Sequence, residues 1–246
     1  MRVSRFYTGQ TLAEDTRISL DGETAHYIAR VLRLGPGDAL ILFNGDGNEY
    51  HARLENADKK QVQVTIGRAT QPQRESPLHI RLGQGISRGE RMDFVLQKSV
   101  ELGVSAITPL WTARSQVRLS GKRLDKRLNH WRGIVRSASE QSGRVLLPDL
   151  DNSGTLPDWC HEAEEACRLV LDPQASLTLG ELSPADKVCV LIGPEGGLDA
   201  EEIAIAEAAG FQRVRLGPRV LRTETAALAI LAALQTLWGD LAGQAS

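Results

Sequence analysis

Two stretches in the last third of the 246-residue chain place glycines, prolines and charges where they could do chemistry. The first is Val188-Cys-Val-Leu-Ile-Gly-Pro-Glu-Gly-Gly-Leu-Asp-Ala-Glu-Glu-Ile203, the second Val214-Arg-Leu-Gly-Pro-Arg-Val-Leu-Arg-Thr-Glu-Thr-Ala-Ala-Leu228. Each runs from a short β-rich apolar segment through a Gly/Pro loop into a helical pattern. Loops at the carboxyl ends of strands are where open α/β sheets bind ligands. Gly193-Pro-Glu-Gly-Gly197 is followed by no Lys-Ser/Thr pair and lacks GxGxxG order, so it is neither a phosphate loop nor a dinucleotide fingerprint. Alone it reads as a tight strand-to-helix turn. With the second loop, Leu216 to Arg222, it can cradle one adenosine-sized ligand through main-chain groups. Asp199 and Glu202 have capping-box spacing, and Thr223 is expected to cap the second helix. Capping explains neither Arg222 nor Glu224, charges beside an apolar helix that require a partner or a function.

Basic residues form a second candidate site. Between positions 114 and 144 stand Arg114, Arg118, Lys122, Arg123, Lys126, Arg127, Arg132, Arg136 and Arg144, with only Asp125 and Glu140 against them. Several recur at i, i+4, so one helix face could follow a phosphate backbone. Arginines also stack on unpaired bases, which favours RNA over duplex DNA. A helix kept soluble by like charge is the plain alternative, weakened by the repulsion of neighbours without acidic partners. Glu140-Gln-Ser-Gly-Arg144 ends this helix, with Gly143 at the left-handed position, and also gathers hydrogen-bonding groups. Earlier in the chain His26, Arg30 and Arg33 share helical spacing and either meet phosphates or form a solvated face.

The elements that must position these residues follow from periodicity. Residues 1–70 read as mostly β: strands over Val3–Tyr7, Thr16–Leu20, Ala39–Phe43 and Gln61–Gly67, the last with Val62, Val64 and Ile66 on one face. Asp21 is expected to cap a helix from Gly22 to Leu34 that buries Ile28, Val31 and Leu32. Asn44-Gly-Asp-Gly47 offers hairpin chemistry, and short strands at this density suggest a small barrel. Ala69 to Pro77 reads as a domain boundary, giving domains 1–72 and 73–246. Beyond it strands alternate with helices. Leu78–Gln84, Val104–Leu110, Leu169–Leu171, Val188–Ile192 and Val214–Leu216 are strands. Met92, Val95, Leu96 and Val100 stripe one helix, and Leu124, Leu128, Trp131, Val135 and Ala138 a longer one. This alternation implies an α/β fold with a largely parallel sheet and helices on both faces. The helix from Ala226 to Trp238 is apolar nearly all round, so it needs cover on every side, for which a second subunit is one candidate.

The totals exclude several classes. Hydrophobic residues at 41% and charged residues at 24% suit an ordinary globular protein. No apolar run is long enough to span a bilayer, and Met1–Tyr7 does not read as a secretory signal. Cys160, Cys167 and Cys189 are odd in number and lack CxxC spacing, so free thiols and a cytoplasmic location are expected. The five histidines form no HxxxH or HExxH pattern, and no metal is expected. Under a net charge of -2, residues 75–150 hold 13 Lys/Arg against 7 Asp/Glu, and residues 151–246 hold 6 against 15. That segregation fits a localised polyanion-binding face, or a solvated surface whose charges happen to separate.

At these residues the chain resembles a known family. Val190-Leu-Ile-Gly-Pro-Glu-Gly-Gly197 with Leu216-Gly-Pro-Arg-Val-Leu-Arg-Thr-Glu-Thr-Ala226 is similar to the bacterial small-subunit (16S) rRNA uridine-N3 methyltransferases, the RsmE family of the SPOUT class. Gln97-Lys-Ser-Val-Glu-Leu-Gly103, Glu140-Gln-Ser142 with Arg144, and Val31-Leu-Arg-Leu34 with Gly37-Asp38 match too. The resemblance implies an N-terminal PUA-like β-barrel that helps bind RNA, and a SPOUT domain with a deep trefoil knot, an exception to the rule against threaded connections. It implies S-adenosyl-L-methionine as methyl donor, a homodimer through the knot domain, and small-subunit rRNA or the assembled small subunit as partner. By position, the cofactor pocket would use Leu171, Ile192, Gly193, Gly196, Gly197, Leu216, Gly217 and Leu221. Arg222, Glu224 and Glu195 would be the catalytic candidates. His26, Arg30, Arg33, Arg88, Lys98, Arg114, Arg136, Gln141 and Arg144 would be the RNA-binding ones. The rivals are a non-catalytic RNA-binding or ribosome-assembly protein, a nucleotide-dependent α/β enzyme such as an oxidoreductase, and a SPOUT enzyme acting on another RNA or on ribose.

Overall fold

The computed structural model describes residues 3–20, 22–57, 61–115 and 119–243. Arg118 of the basic run and the expected cap Asp21 lie outside them. Chain contacts divide the protein into two compact units: Met1–Glu75 with Ser139–Leu147, and Ser76–Ala138 with Pro148–Ser246.

The first unit carries β1 (Ser4–Tyr7), β2 (Arg17–Leu20), α1 (Gly22–His26), β3 (Ala39–Phe43), β4 (Glu49–Ala57) and β5 (Val62–Thr70). They form a five-stranded sheet in the order β1-β3-β4-β5-β2. β1 and β3 run parallel, whereas β3–β4, β4–β5 and β2–β5 are antiparallel. Val62, Val64 and Ile66 are fully buried on one face of β5, as alternation requires. Strand β4 has no place in the sequence-based reading, because its charged residues mask the alternation of Tyr50, Ala52 and Leu54, all buried.

The helix expected over 22–34 is shorter. After five α-helical residues the chain takes a wider π turn, Tyr27–Val31, in which the Leu32 N–H reaches back to Tyr27 O at 3.0 Å. The wider turn shifts the helical phase. Ala25 and Ile28 face inward, whereas Val31, expected in the buried stripe, is 56% exposed.

The return of Ser139–Leu147 to this unit has a specific cause. Arg144 places Nε 2.9 Å and Nη2 2.8 Å from Glu75 Oε2. Glu75 Oε1 accepts the Val145 and Leu146 N–H groups. Arg5 donates to Arg144 O at 2.8 Å and pairs with Glu49, which Arg74 also contacts at 2.6 Å. The Tyr7 N–H donates to Glu140 Oε1 at 2.9 Å. These pairings place charges among buried groups, where each needs a partner to offset lost hydration.

The second unit contains β6 (His79–Gly85), α2 (Glu90–Glu101), β7 (Ala106–Trp111), α3 (Lys122–Ser142, its last turn counted with the first unit), β8 (Asp149–Leu150), β9 (Gly154–Thr155), α4 (Leu156–His161), β10 (Cys167–Leu171), β11 (Lys187–Ile192), α5 (Ala200–Ala208), β12 (Gln212–Val214) and α6 (Thr223–Leu237). The sheet order is β12-β10-β11-β6-β7-β8, with β9 also on β7, and every recorded pair is parallel. Central strands of such a sheet are covered on both faces, so they read as unbroken apolar runs. In β11, Val188, Val190 and Ile192 join the core that includes Met92, Leu96, Trp131, Ile230 and Leu234. Cys189 and Leu191 face the other core, with Trp159, Ala206 and Phe211. The last strand lies over Gln212–Val214, two residues earlier than expected, which leaves Arg215 and Leu216 to the loop.

Candidate active site

Strands β10, β11 and β12 are neighbours, and the segments following them line one cavity of about 1080 Å³. Its walls include Leu171 at the end of β10, Ile192 at the end of β11 with Gly193 to Asp199 beyond it, and Arg215, Leu216 and Arg219 to Glu224 after β12. Parallel packing forces all three loops to the same sheet edge. Residues far apart in the chain therefore meet there.

Two features fix the first loop. Gly193 admits no side chain: a Cβ there would lie 2.8 Å from Gly197 C and from Leu198 N. Asp199 and Glu202 make the expected capping box, with bonds of 2.9 and 3.0 Å. Glu202 reaches further and accepts the Ala113 N–H at 2.7 Å. Arg114 Nη1 donates to Gly196 O at 2.9 Å, so its charge rests on the loop's carbonyls.

The second loop corrects one expectation. Thr223 does not cap α6; Arg222 occupies the N-cap position without a side-chain cap bond. The Thr223 hydroxyl instead donates to Gly193 O at 2.7 Å and accepts from Gln84 Nε2 at 3.0 Å. Gln84 is fully buried at the end of β6, in register with Ile192. Its amide nitrogen also lies 3.4 Å from Gly193 O and 3.0 Å from Gly85 O, an arrangement only the N–H₂ end satisfies. Gln84 was missed in the sequence. Its signal was a polar residue between two glycines, Gly83 and Gly85, inside an apolar strand.

Of the residues expected to hold a cofactor, Leu171, Ile192, Gly193, Gly196, Gly197, Leu216 and Leu221 line the cavity, and Gly217, at φ +71°, sits in its loop without lining it. Arg222, Glu224 and Glu195 line it as well, Arg222 with its side chain exposed. Arg91, unmarked in the sequence, joins them: its Nη1 donates to Glu195 Oε1 at 2.9 Å and its Nε lies 4.0 Å from Glu224 Oε1. The Arg88 N–H also donates to Glu195 Oε1, at 2.9 Å. Burial alone would raise the Glu195 carboxyl, but the bonds from Arg88, its own backbone and Arg91 outweigh burial and hold it below the ordinary carboxylate value. Glu224 Oε2 is buried with no hydrogen-bond partner.

The basic residues are dispersed. His26, Arg30 and Arg33 are exposed around the π turn, Arg33 at φ +55°. Lys122, Arg123 and Lys126 are exposed on α3, whose inner face is anchored by Trp131 Nε1 and His130 Nε2 on Asp93, at 3.1 and 2.9 Å. Arg88 and Gln141 are exposed, Arg136 is half-buried, and Lys98 pairs with Glu101 at 2.7 Å. Arg144, expected among the RNA contacts, is 8% exposed and held by Glu75, so its guanidinium serves the fold of the first unit. Among the described residues no group of three or more His, Cys, Asp or Glu is placed to hold a metal ion, and no helix is long and apolar enough to cross a membrane.

The cavity thus joins main-chain groups, apolar walls and charged side chains at the ends of three parallel strands. The comparisons with known proteins agree with that geometry. Residues 74–235 match the family model described as RNA methyltransferase domain, and residues 20–67 that described as RNA methyltransferase PUA domain. The chain is 38% identical to ribosomal RNA small subunit methyltransferase E of Buchnera aphidicola subsp. Schizaphis graminum, over 98% of each chain. A Legionella pneumophila structure in complex with the cofactor SAM superposes with a TM-score of 0.95 at 42% identity, covering 98% of this chain and 100% of that one. Ribosomal RNA small subunit methyltransferase E from Neisseria gonorrhoeae, bound to S-adenosyl methionine, gives 0.91 at 40% identity with the same coverage. With its two glycine loops closed on one cavity and 98% of its length matched, the chain belongs to the ribosomal RNA small subunit methyltransferase E family of RNA methyltransferases.

Proposed function

We propose that this protein transfers a methyl group from S-adenosylmethionine to N3 of a uridine in small-subunit ribosomal RNA, free or within the assembled subunit. The observation that carries the reading is the cavity closed by the Gly193 and Thr223 loops, walled by Leu171, Ile192, Leu216 and Leu221. Main-chain groups around Gly193, Gly196 and Gly197 would hold the adenosine, and the apolar walls would cover its ring. When bound, the cofactor supplies a methyl carbon whose bond to positive sulfur breaks with the electron pair remaining on sulfur.

The protein's share is positioning and charge. Uridine N3 carries a proton and is a poor nucleophile until that proton leaves. Alignment of the nitrogen with the methyl carbon supplies much of the rate. Arg222, exposed at the cavity, stabilises the negative charge that spreads onto the flanking carbonyl oxygens. Glu224 or Glu195 accepts the proton or orients the base. Exposed His26, Arg30 and Arg33, with Lys122, Arg123 and Lys126, supply cations for the RNA backbone.

The finer architecture belongs to the same proposal. Residues 1–72 form a PUA-like barrel, residues 73–246 a SPOUT domain with a trefoil knot, and two copies pair through the knot domain. Exposed Leu237 and Leu241 near the end of α6 support that pairing. Mass spectrometry of rRNA nucleosides from a deletion strain, with and without the gene restored, tests the function. Loss and return of 3-methyluridine supports it; unchanged 3-methyluridine refutes it.

A further inference from the structure

Two of the carboxylates that line the cavity, Glu195 and Glu224, stand in opposite surroundings, and Arg91 on the first turn of α2 makes the difference. Glu195 Oε1 accepts from Arg91 Nη1 and from the Arg88 N–H, both at 2.9 Å. A carboxylate so held stays ionised and is a weak proton acceptor. Glu224 has only an approach of 4.0 Å between its Oε1 and Arg91 Nε, beyond hydrogen-bond distance. Its Oε2 is buried and receives no donor at all. A buried carboxylate oxygen without a donor is costly and calls for an explanation. The Glu224 side chain lines the cavity, so a substrate there can bring its carboxylate the donor that the protein does not supply.

We propose that Arg91 is a positioning residue that divides the work of these carboxylates, locking Glu195 as the anion that ties the Gly193 loop to α2 and leaving Glu224 as the proton acceptor. This rests on the methyltransferase reading above. The N3–H bond of the uridine breaks, and its proton bonds to the Glu224 carboxylate. The electron pair left on N3 forms the new bond to the methyl carbon. Glu224 then returns the proton to water once the product has left.

The test uses the full-length protein and the variants Glu224→Gln, Glu195→Gln, Arg91→Met and Arg91→Lys. Three readings are taken: cofactor affinity by calorimetry, single-turnover methylation of unmodified small-subunit RNA, and the Glu195 titration by carbon-13 NMR in the free protein. Glu224→Gln is expected to bind S-adenosylmethionine within about threefold of wild type while its methyl-transfer rate constant falls about 100-fold or more. Glu195→Gln instead loses mainly cofactor affinity, by about tenfold. Arg91→Met raises the Glu195 titration midpoint and lowers the single-turnover rate constant more than it weakens cofactor binding, and Arg91→Lys recovers part of both. The proposal is overturned if Glu195→Gln loses the chemical step while Glu224→Gln keeps it, or if Arg91→Met leaves both the titration and the rate unmoved. Wild type that neither binds S-adenosylmethionine nor methylates the RNA would sink the underlying reading instead, before any variant is compared.

Discussion

The Thr223 hydroxyl donates a 2.7 Å hydrogen bond to the carbonyl oxygen of Gly193, thirty residues away, and Gln84 Nε2 donates to the same hydroxyl at 3.0 Å. One buried side chain on β6 thus ties the loop after β11 to the loop after β12. The two halves of the cavity are held in one geometry before any ligand arrives, and such preorganisation lowers the ordering cost of binding.

Thr223→Val keeps the shape but removes the hydroxyl, leaving Gly193 O with only the longer 3.4 Å approach of Gln84 Nε2 in a buried place. A loss of about 1–3 kcal/mol is expected, shared between stability and ligand affinity. Urea denaturation with and without S-adenosylmethionine separates the two shares. A variant matching wild type in both would show that the tie is dispensable.

Arg222 is exposed at the cavity, where it is free to meet a substrate oxygen. Arg222→Ala is expected to leave S-adenosylmethionine affinity near wild type and to lower the methylation rate constant about 100-fold. Single-turnover assays on unmodified small-subunit RNA decide it. Full methylation with unchanged kinetics would remove Arg222 from the chemistry.

Glu195 gives a pH dependence with a defined sign. Its folded-state pKa lies below the ordinary value of 4.5, so the unfolded chain binds its proton more readily. The stability it contributes is complete above about pH 4.5 and is lost as pH falls through the folded value. The melting-temperature gap between wild type and Glu195→Gln should therefore be constant near neutrality and shrink in acid. A gap that widens below pH 4.5 would contradict the assignment.

Arg144 and Glu75 are both largely buried, with side-chain exposures of 10% and 20%. Glu75→Gln removes the charge that Arg144 meets at 2.8 Å and weakens the contacts to Val145 and Leu146 N–H. A destabilisation of roughly 2–3 kcal/mol is expected in denaturant unfolding. The variant's S-adenosylmethionine affinity in the folded state should stay close to wild type, because the cavity is lined from the other unit.

The thiols should react in order of burial. Burial pushes Cys160 up to about 12, with Arg81 opposing, and Cys189 is driven higher still. Cys167 is raised as well but is less deeply placed. Native alkylation near neutral pH, read by peptide mass spectrometry, is expected to label Cys167 first and to spare Cys160 and Cys189 until unfolding.

The sequence alone was enough for whatever depends on neighbours along the chain. Periodicity marked the stripe Met92, Val95, Leu96 and Val100, all fully buried, and the apolar run of β11. The Asp199–Glu202 box and the left-handed Gly143 were readable because caps and turns are local. Where local chemistry allowed two answers, tertiary packing chose. Thr223 reads as a cap for α6, but the helix begins at it, and its hydroxyl oxygen accepts from Gln84 Nε2 while its proton goes to Gly193 O. Gln84 left only the trace of a polar residue between two glycines, while Arg91 and the return of Ser139–Leu147 to the first unit left none, since each role depends on groups distant in sequence. Val31 pointed the wrong way because a single π turn rotates every later residue, and no periodicity count detects one widened hydrogen-bonded ring. Short-range geometry is written in residue order; which distant group satisfies a buried donor or charge is settled only when the strands align.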